Sequence, residues 1–253
     1  MEYRPETYGD RVADVYDEWY KFVDTEQEAA LLAELAAGGA ALELGIGTGR
    51  IALPLAARGV KVHGIDASAA IVDRMRGKPG ADAISITIGD MADVPVEGTF
   101  SLVFVVFNTF FMLTTQEQQV RCFRNAAAHL APGGCFLVHT FVPDMSRIEN
   151  GEHVSAREAG IDRVRLDLTT FDRLEQRLDS TQVRISESGT RFVHARLRYA
   201  FPPELDLMAQ LAGLTLEHRW GGFGKEPFTT ESAFHVSVYR ARSDASRGAR
   251  VSR

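Results

Sequence analysis

A chain of 253 residues with 45% hydrophobic content can bury a sizeable core, and it suits one α/β domain with an insertion better than two domains. Its net charge of -6 works against nucleic-acid binding, which depends on neutralising phosphates, and no basic run precedes position 240. There is no apolar run of about 18 residues to span a bilayer, and the N-terminus has no basic region followed by an apolar one, so a cytoplasmic protein with no membrane partner is expected. Cys122 and Cys135 have no metal-ligand spacing and read as small buried hydrophobes, and no metal site is expected.

In chain order, residues 1–39 read as an N-terminal helical lid in which Tyr16 and Tyr20, four apart, share a helical face. Ala40 to Leu44 is short and apolar enough for a buried parallel strand. Ile51 to Ala57 carries apolar residues at helical spacing, so Gly45, Gly47 and Gly49 fall at a strand-to-helix turn. Val60 to Asp66 is a second strand, Ser68 caps a helix to Arg76, Ala83 to Ile88 is a third strand and Thr99 to Phe107 a fourth. A helix from Thr115 to Leu130 and, after Pro132-Gly133-Gly134, a fifth strand from Cys135 to Val142 continue the alternation. That rhythm implies a doubly wound, mostly parallel sheet spanning residues 40–160.

Residues 161–200 break the rhythm. Val164 to Leu168, Thr181 to Ile185 and Phe192 to Tyr199 alternate apolar with polar, as antiparallel strands solvated on one face do. A helix from Pro202 to Ala212 and strands Leu214 to His218 and Phe234 to Arg240 complete the core over residues 201–240. The Ser/Arg/Gly tail, 241–253, is expected to be disordered.

The glycine turn and the carboxylate of Asp66, about 20 residues further on, describe a ribose-binding crevice, because an acid at that strand end meets the two ribose hydroxyls. A dinucleotide fingerprint requires glycine at the sixth position from Gly45, where Arg50 stands, so NAD fits poorly. The pattern Glu43-x-Gly45-x-Gly47-x-Gly49 instead resembles the first motif of class I S-adenosylmethionine (SAM) dependent methyltransferases. Glu43 suits the α-ammonium group of SAM and would repel a pyrophosphate.

The resemblance implies a Rossmann-like seven-stranded fold and extends to other strand ends. Gly89-Asp90-Met91 matches the place where the family binds the adenine amino group with a carboxylate and covers the ring with an apolar side chain. Phe107-Asn108 matches the loop lining the methionyl end. The implied cofactor contacts are therefore Tyr16, Glu43, Gly45, Gly47, Thr48, Gly49, Arg50, Asp66, Ala67, Asp90, Met91, Phe107 and Asn108. The segment from Tyr8 to Tyr20 is similar to the aromatic opening of actinobacterial enzymes that methylate sugars and other metabolites, where it closes over the cofactor carboxylate. Tyr16 would make that contact, or pack with Tyr20 on the core.

After the fourth strand the chain reads Phe107-Asn-Thr-Phe110, without the Asn/Asp-Pro-Pro-aromatic tetrapeptide of amino-methylating nucleic-acid enzymes, so a small-molecule acceptor is expected. The reaction implied is in-line methyl transfer to oxygen or nitrogen, for which alignment alone can supply ~7 to 11 kcal/mol of the barrier. A base is optional. His139 on the fifth strand and Asp144 after Pro143 are the candidates, with a hydrogen-bonded core histidine and a turn residue as the alternatives.

The inserted sheet is expected to roof the acceptor site or pair subunits as a homodimer. Its charges, Arg163, Arg165, Asp167, Asp172, Arg173, Glu175 and Arg177, read either as cross-strand ion pairs or as an anionic-acceptor pocket. The loop Trp220 to Phe228 reads as a contact to the acceptor or as a hairpin on the core. A non-catalytic SAM-binding protein and, less well supported, an NAD-dependent oxidoreductase are the alternatives in function.

Overall fold

A computed structural model describes residues 3–21, 25–144 and 151–241. The chain opens with two short helices, α1 (Thr7–Val12) and α2 (Tyr16–Tyr20), followed by α3 (Glu26–Ala36). Strand β1 (Ala41–Leu44) is apolar except for Glu43 and buried at every position, as a central parallel strand covered on both faces must be. It pairs in parallel with β2 (Val62–Asp66) on one side and β4 (Phe100–Val105) on the other. Outside these lie β3 (Ser85–Ile88), parallel to β2, and β5 (Leu130–Phe141), parallel to β4. Two strands from the end of the chain, β10 (Leu214–Trp220) and β11 (Phe234–Ala241), add to the β5 edge with β11 antiparallel to β5.

The resulting order, β10-β11-β5-β4-β1-β2-β3, reverses direction between β1 and β4. Connections after these two strands leave on opposite faces, and the loops part to open a crevice at the strand ends. One face is covered by α3, α4 (Ala52–Ala57) and α5 (Ala69–Arg76), which bury Leu31, Leu32, Leu55, Ile71 and Met75. On the other, α6 (Gln116–Ala128) and α7 (Pro202–Leu211) pack Phe123 and Met208 against Phe136 and Tyr239. Local chemistry sets the helix starts. Ser68 Oγ accepts the Ile71 N–H, and Thr115 forms a capping box with Gln118. Cys122 and Cys135 are both buried and unpaired.

The inserted sheet is an antiparallel meander of four strands in the order β6 (Glu152–Ala159), β7 (Arg163–Asp172), β8 (Arg177–Ser186), β9 (Gly189–Arg198). Sequence patterning anticipates the last three, in shorter form, but not β6, which lies before residue 161. The reason is compositional: the one large apolar residue of β6, Val154, is 66% exposed, and the half-buried His153 and Ser155 on its inner face are polar, so no apolar alternation marks the strand. Strand β5 also starts at Leu130, five residues before the expected Cys135, because Leu130 pairs with Phe100. The tail expected to be disordered lies outside the described residues beyond 241.

A buried polar knot fastens this sheet to the core. Arg198, 5% exposed at the end of β9, donates to Gln119 Oε1 of α6 (2.6 Å), Glu204 Oε1 of α7 (2.7 Å) and Gln176 Oε1 (2.9 Å). Gln119 returns a hydrogen bond to the Arg198 carbonyl at 2.8 Å. Burial raises the Glu204 pKa, but hydrogen bonds from Arg198, Gln176 and Gln116 outweigh it and hold the carboxyl below its usual range.

Removing one member of a buried ion pair strands the other, so Arg198→Ala is expected to lower the unfolding free energy, measured in urea, by about 3 kcal/mol. Because the folded pKa of Glu204 is depressed, its contribution is present above the unfolded value near ~4.3 and is lost as pH falls through the folded value. The variant should therefore have a flatter acid limb than the parent in a stability-against-pH series.

Candidate active site

The turn after β1 is shaped by its glycines. Gly45 (φ +78°) has no room for a side chain, since a Cβ there would sit 2.4 Å from Thr109 Cγ2. Gly47 (φ +56°) is different: only Ile71 Cδ1, at 3.8 Å, comes near a Cβ at that position, so the backbone is left open to a ligand. Asp66 at the end of β2 fixes the turn. Its Oδ2 accepts the Gly47 N–H at 2.8 Å and its Oδ1 accepts the Ser68 N–H at 2.9 Å. A carboxylate has about four acceptor positions, so capacity for two ribose hydroxyls remains.

Tyr16, Gly45, Gly47, Asp66, Ala67, Asp90 and Met91 line one cleft together with Tyr8 and Thr109. Asp90 Oδ1 accepts the Ala92 N–H at 2.8 Å, which holds the loop after β3. A narrow pocket continues from Tyr16 past Glu43, Thr48, Arg50 and Phe107. The Glu43 side chain is buried, its Oε2 has no hydrogen-bond partner, and burial pushes its pKa well above the ordinary value despite the charge of Arg50. An orphaned acid of this kind at the closed end of a cleft fits an ammonium group. Arg50 is paired with Glu28 at 2.7 Å and lies 4.5 Å over the Phe107 ring, beside the same pocket, where a carboxylate would meet it.

The N-terminal helices close the cleft through two carboxylates. Ser68 Oγ donates to Asp10 at 2.6 Å, Thr48 Oγ1 donates to Asp17 at 2.6 Å, and Lys78 pairs with Asp17 at 2.7 Å. The Thr48 hydroxyl is thus committed to the lid. Tyr16 packs at a tilt against Tyr20 (centroids 4.7 Å apart), and Tyr20 meets the edge of Phe107 at 5.2 Å, so Tyr16 both lines the cleft and packs on its aromatic neighbours. Burial keeps the phenols of Tyr8 and Tyr16 protonated well beyond neutral pH.

Beyond Tyr16 opens a second cavity, of about 370 Å³, floored by Phe107, Asn108 and Thr109 and roofed by β6 to β9. Tyr8, Tyr16, Thr109 and Met112 are shared between this cavity and the cleft. Thr109 and Met112 carry no motif of their own; only their position after β4 could have marked them.

Three of the expected residues stand elsewhere. Gly49 packs against α5, where a Cβ would meet Met75 Cγ at 2.8 Å. Asp144 is exposed and absent from the walls of these cavities. His139 is absent from them too. Its ring lies between Phe223 and Phe234, and its pKa is pushed down to about 4 by burial and by the Arg50 charge. Its Nδ1 accepts the Phe107 N–H at 3.2 Å and its carbonyl accepts the Asn108 N–H at 3.2 Å. Phe107 (φ +60°) and Asn108 (φ +67°) are consecutive left-handed residues, a strained arrangement that His139 holds from beneath. Asn108 Oδ1 completes the clamp by accepting the Phe141 N–H at 2.7 Å. The geometry of His139 is that of the hydrogen-bonded core histidine, acting on the loop.

Residues 41–134 match the family model of the methyltransferase domain. The cypemycin N-terminal methyltransferase of a Streptomyces species is 31% identical over 196 residues, 77% of this chain and 80% of that protein. Among solved structures, the CcbJ methyltransferase from Streptomyces caelestis superposes with a TM-score of 0.90 at 40% identity, covering 95% of this chain and all of that one. The SAM-bound amino pentose methyltransferase from Micromonospora echinaspora, at 24% identity and a TM-score of 0.64 over 88% of this chain and 96% of that one, shares the fold.

Two measurements check the cleft. Asp66→Ala should weaken S-adenosylhomocysteine binding in calorimetry by about 100-fold, as loss of two charge-assisted hydrogen bonds requires, and unchanged affinity would remove Asp66 from the ribose. Glu43 has a folded pKa above its unfolded ~4.3, so the free protein loses stability as pH rises through the folded value. An ammonium beside the ionised carboxylate offsets that loss. The melting-temperature rise given by SAM should therefore grow as pH rises above the ordinary carboxylate range in the parent and stay flat in Glu43→Gln.

Proposed function

Since the chain belongs to the class I SAM-dependent methyltransferases, a premise fixed by its relatives, we propose that it transfers the methyl group to an amine nitrogen of a small-molecule acceptor. The observation that carries this reading is the protonation chemistry of the acceptor cavity. At the Tyr16 end of the cavity the phenols stay protonated and the imidazole expected as a base is turned away beneath the Phe107 loop, while the other titratable groups of the lining, His153 and the Arg157-paired Asp167, belong to the roof strands β6 and β7 and not to the floor at Phe107 to Thr109. An alcohol would need its proton removed during attack, whereas a neutral amine brings its own lone pair. That the cypemycin relative is an N-terminal methyltransferase supports the same choice.

Bound in the cleft, SAM supplies an electrophilic methyl carbon on a sulfonium, a reaction for which the protein need only orient and desolvate. The acceptor nitrogen attacks that carbon in line; the N–C bond forms as the S–C bond breaks, S-adenosylhomocysteine leaves, and the product ammonium loses its proton to water. Within the chain, Asp66 orients the ribose, Asp90 and Met91 take the adenine, Glu43 meets the ammonium and Arg50 the carboxylate. Gly45 and Gly47 let the backbone approach, and Tyr16, at the junction of cleft and cavity, shields the transfer point from water beside Phe107.

With methyl-labelled SAM and paired amine and alcohol probes of one carbon skeleton, mass spectrometry should find the label on nitrogen. kcat/KM should rise with pH along the titration of the amine itself. Label on the alcohol oxygen would overturn the nitrogen assignment while leaving methyl transfer intact.

A further inference from the structure

The roof of the acceptor cavity differs in chemistry from its aromatic floor. Across β7, β8 and β9 one inward row, Phe171, Leu178 and Leu197, is apolar. Two rows further along, Ser155 of β6 stands opposite Asp167 of β7, which stands opposite Gln182 of β8, and all three line the cavity. Ser155 Oγ and Asp167 Oδ1 are each buried without a hydrogen-bond partner. A native structure rarely leaves such atoms unmet, and here two occur on directly opposed residues beside one cavity.

The charge of Asp167 is already answered. Arg157 Nε donates to its Oδ2 at 2.9 Å, and Arg165 Nε stands 3.5 Å from Oδ1 without making a hydrogen bond. A cation is therefore not called for. What remains unused is hydrogen-bonding capacity: an acceptor on Asp167, a donor and acceptor on Ser155, and the amide of Gln182. Neutral hydroxyl groups match that set, since each both donates and accepts.

Building on the amine-methylation reading, we infer that Asp167, with Ser155 and Gln182, is a hydroxyl clamp that selects acceptors carrying hydroxyl groups on the far side of the molecule from the methylated nitrogen. The apolar row beside Phe141 takes the carbon skeleton between the two ends. Other roof charges pair among themselves, such as Arg163 with Glu158 and Arg177 with Asp172, and of the polar residues that line the cavity, His153, Thr169 and Ser180 among them, Asp167 and Ser155 are the two whose buried oxygens lack a hydrogen-bond partner.

The test is calorimetry on the full chain loaded with S-adenosylhomocysteine, using methyl 3-amino-3-deoxyglucopyranoside and cyclohexylamine as probes. The parent should bind the hydroxylated amine about ten-fold or more tighter than the plain one, as one or two hydrogen bonds to a charged acceptor allow. Asp167→Ala should bring the ratio close to one, and Ser155→Ala should lower it a few-fold, with S-adenosylhomocysteine affinity unchanged in both. Equal or absent binding of the two probes to the parent overturns the clamp, as does an unchanged ratio in the variants. If Asp167→Ala does not fold, Ser155→Ala alone decides. The probe ratio reads hydroxyl preference whichever atom is methylated, so failure of the nitrogen assignment shows separately, in where the label goes.

Discussion

Four parts of the molecule meet at the Asp66 carboxylate. One oxygen takes the amide of the glycine turn and the other takes the amide that begins α5, while the serine capping that helix donates onward to Asp10 of the lid. The turn after β1, the end of β2, α5 and α1 are thus positioned by one side chain. Burial and the neighbouring Asp10 raise its pKa, and the backbone donors oppose them. A carboxylate held in place by amides before any ligand arrives presents its remaining lone pairs at fixed angles, so little reorganisation is left for binding to drive.

Most of this was legible because it is written in local pattern. The apolar run ending at Leu44, the alternating glycines and the acid at position 66 lie within 27 residues, and each has a physical requirement that few residue types meet. That the sheet is doubly wound and mostly parallel followed from the alternation of elements. The acceptor side was not legible in the same way. Its floor is two residues in left-handed conformation with no glycine to advertise them, and its roof includes β6, whose exposed face gives no periodic signal. His139 illustrates the limit. A histidine near the end of a strand suggests proton transfer, yet whether its ring points toward the cavity or beneath the loop is set by Phe223 and Phe234, more than 80 residues away in sequence.

Charge in the roof sheet teaches a related lesson. In sequence its arginines and acids alternate without distinction, and most resolve into cross-strand pairs of the kind that contribute little at a surface. Asp167 is set apart only by the strand register, which turns it inward beside Ser155. That register is a tertiary fact, fixed when three neighbouring strands align over ten-residue lengths.

The way the roof is mounted has a consequence for how such a protein can change. Its last strand is anchored to α6 and α7 by Arg198, whereas Gly45, Gly47, Asp66, Asp90 and Met91, which line the cleft, stand at the strand ends and loops of the parallel sheet. Substitutions on the inner face of β6 to β8 therefore alter one compartment while the bonds that shape the other stay as they are. Such a chain can exchange one acceptor for another by small steps, retaining at each the chemistry that makes the exchange worth selecting.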